Sequence, residues 1–472
     1  MNKNDLTIDS CQVYECPIKT RVPLKFGPEI TTFVYCARAI INVSSMDGRH
    51  AKGVGETPLS VAWVWPNKDL SFFKRADRLR DFCSKLAAVW SNVKETGHSF
   101  EIGHVFINTY LRKLFEEENA KYEENEKMPW LAALVCNSTF DLALHDAYGN
   151  LNKIDTWKTF NSNYMNHDLS WFYTEEDAPV FKNKYPEDFF ANKELPKSLP
   201  VWHLVGAKDA IFSDELKGDE IHDGYPLTLV DWIKKDGLKC LKIKLTGNNE
   251  SWDYNRIISV GKLGIETGAN WLSVDFNCTV KDPSYVCKIL DKLLLENPRI
   301  YGMILYVEQP FPYELRKYSI DVHSVSARKP LFMDESAHDW QHIKLGRKLG
   351  WSSVALKTCK TLTGAILSMC WAKQYGMTLM VQDLTNPMLA QIPHVQLAAY
   401  AGTIMGVESN AMQFYPEASW QEQRVHPGLF SRKDGKLDLT SISGPGLGYR
   451  LEEIEKMNNE AKEPEKWKKI QL

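Results

Sequence analysis

No stretch of this sequence reaches the ~18 uncharged apolar residues that a membrane-spanning helix needs. Charge of one sign is also missing. The 57 Lys and Arg nearly cancel the 60 Asp and Glu, which excludes the basic excess of a general nucleic-acid binder. Cysteine is sparse, with ten residues, no C-x-x-C pair and no regular spacing, so a disulfide framework is excluded and reduced thiols fit better. Gly444-Pro-Gly-Leu-Gly448 follows no suitable strand and opens no helix; it reads as a turn, and a dinucleotide-binding loop is absent. The first residues, Met1-Asn-Lys-Asn-Asp-Leu-Thr, lack the apolar core of a secretory signal. The expectation is a cytoplasmic protein with a small-molecule partner and neither a membrane nor a nucleic acid.

What is present is ordinary in bulk and ordered in detail. The 472 residues are 44% apolar and 25% charged, enough for two domains or one large barrel with an appendage. Phe33 to Val43 has strand character, Met46-Asp-Gly-Arg49 a turn, and a return strand ends in Gly53-Val-Gly-Glu-Thr57. Helical spacing follows over 70–92 (Phe72, Leu79, Phe82, Leu86, Val89) and 104–119. A third helix starts near Met128, with Gly149 placed as its C-terminal cap. Residues 1–150 are therefore expected to form an α+β domain. Residues 151–199 carry Trp157, Phe160, Trp171, Phe172, Tyr173, Phe189 and Phe190 without a clean period. So many aromatics are costly in water, so an ordered insertion or lid is expected.

From residue 200 to 415 apolar runs alternate with helical segments, and each run ends in a polar residue. Those ends are Lys244, Asp275, Glu308, Asp334, Lys357, Gln382 or Asp383, and Glu408, spaced 31, 33, 26, 23, 26 and 25 apart. One βα unit takes roughly 30 residues or slightly fewer, so the period predicts an eight-stranded β/α barrel. Residues 416–472 leave the rhythm and end in charge, Leu451-Glu-Glu-Ile-Glu-Lys456, read as a solvated terminus.

In such a barrel the C-terminal strand ends form the active-site face. Asp275, Glu308 and Asp334 would converge there and repel unless a cation neutralises them; oxygen-only ligation suits Mg²⁺, with Mn²⁺ as a substitute. Lys242 and Lys244, two apart on one strand, face the interior together, and two ammonium groups beside a divalent ion disfavour each other's protonation. One can then act as a general base, with Lys357 approaching from the opposite side. That arrangement suits proton removal or delivery at the α-carbon of a carboxylate. Further candidates for substrate contact are Asn277, Glu335, Asp383, Glu408, His203 and His338. Arg21 and Lys25, with Lys19, lie on a loop before the second strand, and Trp63 and Trp65 on another; His145-Asp146 reads as structural.

Taken in order, Lys242-Ile-Lys244, Asp275, Glu308-Gln-Pro, Asp334-Glu-Ser and Lys357 resemble the enolase superfamily in its muconate-lactonizing-enzyme-like branch. Gly53-Val-Gly-Glu-Thr-Pro58, Phe140-Asp-Leu-Ala-Leu-His-Asp-Ala-Tyr-Gly149 and Pro445-Gly-Leu-Gly448 are similar to the family's capping segments. The resemblance implies a (β/α)7β TIM-like barrel with an N-terminal α+β capping domain completed by the C-terminal tail. It implies Mg²⁺ on Asp275, Glu308 and Asp334, Lys244 and Lys357 as opposed acid/base catalysts, and Lys242 tuning Lys244. Homo-oligomers are common in the family. The implied reaction is a racemisation, epimerisation or cycloisomerisation through an enediolate, with acid-sugar dehydration and a non-catalytic barrel as alternatives. Two departures stand out: the branch's Gly-Gly reads Thr363-Gly364, and the last strand end reads Val407-Glu-Ser-Asn410 in place of the Asp-x-Asp of dipeptide epimerases.

Overall fold

The computed structural model describes residues 2–26, 29–460 and 466–470. The chain opens with three antiparallel strands, β1 (Leu6–Phe26), β2 (Glu29–Ser45) and β3 (His50–Leu59). The β2–β3 turn sits at Asp47-Gly48, where Gly48 takes φ 83°, the left-handed conformation that a tight hairpin favours. The helix Phe72–Trp90 starts at Ser71, whose side chain accepts from the Lys74 amide, and turns Leu79, Phe82 and Leu86 inward. A long buried helix, Trp130–Asn152, lies across the sheet. It comes so close that a Cβ on Gly55 would fall 2.1 Å from the Thr139 carbonyl oxygen.

Two expectations for these helices change. The 104–119 segment begins earlier, as Ser99–Val105 behind a His98 capping box, and passes through a π-helical turn, Phe106–Leu111, before Arg112–Asn119. Gly149 does not cap its helix, which runs on to Asn152 and stops where Lys153 turns left-handed at φ 53°. Gly149 is instead a contact point: a Cβ there would lie 2.6 Å from the Gly446 Cα of the tail.

Eight parallel strands form the barrel: β4 (Ser198–Val205), β5 (Cys240–Lys244), β6 (Trp271–Asp275), β7 (Ile304–Glu308), β8 (Leu331–Met333), β9 (Ser353–Leu356), β10 (Thr378–Val381) and β11 (Val407–Glu408). Their order is β10-β9-β8-β7-β6-β5-β4-β11, and the Ile404 amide donates to the Leu379 carbonyl at 2.8 Å across the remaining seam. Trp202, Cys240, Tyr306, Phe332 and Met380, from five strands, fill the interior as an apolar plug. Cys240 and Tyr306 stand two residues before Lys242 and Glu308 on the same strands, so the plug lies directly beneath them.

Segment 151–199 is ordered and packs on the outer face. Trp157 stacks on Tyr400 at 4.5 Å, the Tyr173 hydroxyl donates to the Leu367 carbonyl, and the Lys373 ammonium donates to the Phe189 carbonyl. These contacts strap the segment to the barrel helices Leu362–Gln374 and Gln391–Ala401. The tail is likewise more than a solvated end. The Leu447 amide donates to Asp146, Leu451–Glu460 is a helix with Ile454 buried, and β13 (Lys468–Lys469) adds an edge to β1, beyond a short β12 (Lys436–Asp438) on β4. All ten cysteines are free thiols. Among the described residues no helix is long and apolar enough to cross a membrane.

Candidate active site

Register sets the site. Lys244 pairs with Asp275 across β5–β6, and Asp275 with Glu308 across β6–β7. All three therefore reach the same level at the strand ends. Asp334 follows β8 directly and Lys357 follows β9. Asp275, Glu308, Asp334, Lys242, Lys244 and Lys357 are all buried.

The lysines and carboxylates are interleaved. Lys242 Nζ donates to Glu308 Oε1 at 2.6 Å and Glu408 Oε2 at 3.0 Å, and stands 3.2 Å from Asp275 Oδ2. Lys244 Nζ donates to Asp275 Oδ2 at 2.5 Å and Asn277 Oδ1 at 2.9 Å. Lys357 Nζ donates to the Asp383 carbonyl at 2.8 Å, lies 3.2 Å from Asp334 Oδ2, and stands 5.0 Å from the centre of the Trp63 ring. Lys360 is a fourth buried ammonium, donating to the Asp334 carbonyl at 2.5 Å and lying 3.3 Å from its Oδ1. Sequence reasoning missed it, although it stands one turn past Lys357.

These neighbours reverse one expectation. Burial disfavours the charge on Lys242, but Glu308, Glu408 and Asp275 outweigh it and hold the ammonium well above its usual range. Lys357 is also raised, with burial opposing and Asp334 prevailing. For Lys242 and Lys357 the neighbouring carboxylates thus override the depression expected of adjacent lysines, whereas at Lys360 burial prevails over Asp334 and the ammonium is lowered. Asp275 goes the other way: burial opposes its ionisation, but Lys244 and Lys242 pull its carboxyl below the usual range. Glu308 is pushed well up, first by burial and then by the Asp275 charge.

The excess of acid tests whether a cation fits. Six buried carboxyls (Asp275, Glu308, Asp334, Glu335, Asp383, Glu408) face four buried ammoniums (Lys242, Lys244, Lys357, Lys360), a formal balance of −2. As the side chains stand, no three acidic, imidazole or thiol groups among the described residues meet closely enough to hold an ion. Lys242 lies between Glu308 and Asp275, while Lys357 and Lys360 hold Asp334. A hard divalent cation matches both the uncompensated charge and the all-oxygen donors, so the residues fit the ion.

A cavity of about 20 Å³ remains between Lys242, Lys244, Asn277, Lys357, Glu408 and Trp63, with Leu24 and Leu384 also lining it. That is space for roughly one water. Leu24 and Trp63 come from the cap, so the cap is closed over the strand ends. Several proposed substrate contacts lie elsewhere. His203 packs on Trp232 at 5.5 Å, outside the barrel, because its neighbours Trp202 and Leu204 take the inward positions. His338 lines a separate groove between cap and barrel. Arg21 is held by Asp223, Lys19 is exposed, and the Lys25 side chain lies outside the described residues. Trp65 packs under Arg78 in the cap.

Glu408 and Asp383 do border the cavity, already engaged: Glu408 with Lys242 and Asn410, Asp383 with the Asn386 and Asn410 amides. Glu335 accepts from Trp63 Nε1 at 3.2 Å and Asn277 Nδ2 at 3.3 Å. His145 is structural, as read, bonding Thr363 and Ser99.

Residues 228–455 match the family model described as enolase C-terminal domain-like. The barrel it spans belongs to the enolase superfamily. The chain's barrel, cap and strand-end series fit the mandelate racemase/muconate lactonizing branch of that superfamily. No curated protein matches it in sequence. Among solved structures, a dipeptide epimerase from Enterococcus faecalis V583 shares 15% identity over 93% of this chain and 99% of its own, with a TM-score of 0.59. A muconate lactonizing enzyme from Pseudomonas fluorescens shares 14% over 94% and 96%, with a TM-score of 0.58. A mandelate racemase/muconate lactonizing protein from Herpetosiphon aurantiacus shares 18% over 94% and 98%, at 0.57. At these identities the likeness speaks for the shared superfamily fold, cap included.

Proposed function

We propose that the chain is a Mg²⁺-dependent isomerase that removes the α-proton of a small carboxylate substrate and returns a proton to the resulting enediolate. One observation carries this reading. Lys244 ends β5 and Lys357 follows β9, four strands apart in an order of eight, and both line the same small cavity. They therefore address it from opposite walls, the arrangement that racemisation, epimerisation or cycloisomerisation requires. Asp275, Glu308 and Asp334 would hold the ion. When bound, it supplies charge that stabilises the enediolate and offsets the carboxylates around the lysines.

The chain's own residues do the rest. Asp275 and Asn277 fix Lys244, while the Asp383 carbonyl and the Trp63 ring fix Lys357. Each ammonium so held cannot swing away from its face of the substrate. Lys242 stays charged among three carboxylates and orients Glu308 and Glu408. Leu24, Trp63 and Leu384 exclude water. Glu408, occupied by Lys242 and Asn410, leaves no acidic pair for a substrate amine, which disfavours dipeptides.

Deuterium exchange into a panel of sugar acids, N-acyl amino acids and lactones, followed by NMR in D₂O, tests the reading. Lys244→Ala should abolish exchange on one face and Lys357→Ala on the other; full exchange in both variants would refute the two-base assignment. A dehydratase on the same scaffold has one observation in its favour. Burial, then Asp334, push the Glu335 carboxyl up to about 7 beside Asn277, giving a proton for a departing β-hydroxyl. Release of an α-keto acid from the panel would mark that outcome.

A further inference from the structure

A groove of about 450 Å³ runs between cap and barrel, separate from the small cavity between the lysines. His104, Asn108 and Arg112 line it from the cap, and Arg316 and His338 from the barrel loops, with Trp130 beside them. Most charges on it are matched: Lys317 by Glu314, His342 by Asp339 and Lys360 by Asp334. Arg112 and Arg316 form no ion pair among the described residues, and Arg112 stacks on Trp130 with its guanidinium 4.3 Å from the ring centre. A second, independent observation comes from His338. The residue is 8% exposed, and its Nε2 is buried with no hydrogen-bond partner. With the proton on Nδ1, that nitrogen is an acceptor with no donor.

We propose that this groove is a second ligand site for a small organic anion that also carries a hydroxyl or amine donor. Its phosphate or carboxylate meets Arg112 and Arg316, its donor meets His338 Nε2, and its body lies along Trp130. The volume falls in the range of ligand sites, roughly 300–1,000 Å³. Two cations and one acceptor on a partly aromatic wall are complementary to that chemistry and to neither a cation nor a plain hydrocarbon. Lys360 lies on the groove and donates to the carbonyl of Asp334. An anion beside this ammonium would compete for it, so occupancy reaches the strand-end site through Asp334.

Calorimetric titration of the full chain with glycerol 3-phosphate, inorganic phosphate and glycerol tests the proposal. Glycerol 3-phosphate should bind with a Kd of about 1 mM or tighter, phosphate about tenfold more weakly, and glycerol not at all. The double variant Arg112→Gln/Arg316→Gln, both positions solvent-exposed, should weaken both anions about tenfold or more. His338→Phe should erase the advantage of glycerol 3-phosphate over phosphate, and His338→Asn, which keeps an acceptor, should restore part of it. Binding should persist in Lys244→Ala, separating this site from the catalytic reading. No heat from either anion up to about 10 mM, or equal affinity in the arginine double variant, would overturn the proposal. So would an unchanged preference in His338→Phe.

Discussion

Asp223→Asn should loosen the cap over the strand ends. Arg21 leaves the sheet where β1–β2 pairing slips between Lys19 and Leu24. Its Nε donates to Asp223 Oδ2 at 2.6 Å and its Nη2 to Oδ1 at 2.9 Å, and its guanidinium stands 5.3 Å from the centre of the Tyr225 ring. The two side chains keep 6% and 29% of their surface, so the clasp ranks above an exposed pair but below a fully buried one. An exposed pair contributes about 0.2–1 kcal/mol and a hydrogen bond to a charged group about 1.5–3. Removing the charge but keeping one acceptor should therefore cost about 1 kcal/mol, roughly a fivefold shift towards the open cap. Hydrogen exchange by mass spectrometry reads this directly. Amides of residues 19–24 should exchange about fivefold faster, with the barrel strands unchanged. Salt at about 1 M should produce part of the effect in the wild type. Unchanged protection at 19–24 would refute the reasoning, and so would an equal loss across the whole cap.

Other outcomes follow from the same contacts. Asp275→Asn should weaken Mg²⁺ binding about tenfold or more, and unchanged affinity by calorimetry would remove Asp275 from the ligand set. Asp146 is pushed by burial up to about 7, above its ordinary 3.8. The folded state then binds its proton more tightly than the unfolded one, so stability from this group is full below 3.8 and lost as pH rises through about 7. Asp146→Asn should flatten that slope in denaturant titrations across the window; a slope as steep as the wild type's contradicts it. Gly446 has φ 69°, and a Cβ there would fall 2.2 Å from Asp146 Oδ1. Gly446→Ala should thus cost about 1–3 kcal/mol, seen as a lower Tm by calorimetry, and an unchanged Tm would mean the tail docks otherwise.

The barrel was legible because parallel strands buried on both faces force a regular period, and a charged residue at each strand end stands out from an apolar run. Lys242, Lys244, Asp275, Glu308, Asp334 and Lys357 could be picked out for that reason. Lys360 could not, since it lies in a short loop turn with no periodic signal, although a second lysine three residues past a strand-end lysine is a usable clue. His203 failed because alternation on β4 cannot be phased until Trp202 is known to belong to the plug. Gly149 misled because a glycine near a helix end serves equally as a cap or as a close contact, and only the tail's position distinguishes them. Arg21 was expected on a loop before the second strand but lies within β1, and its partner is 202 residues away; no local pattern encodes that pairing.

The apolar plug of Trp202, Tyr306, Phe332, Met380 and Cys240 has a kinetic side. It seals the floor of the barrel, so protons can trade with bulk solvent only from the capped end. In the proposed reaction, a proton lifted by one lysine while Leu24 and Trp63 stay down would be sequestered with its donor. Isotope washout would then be clocked by the roof, and a labelled substrate could keep its label through several chemical events before the cap next opens.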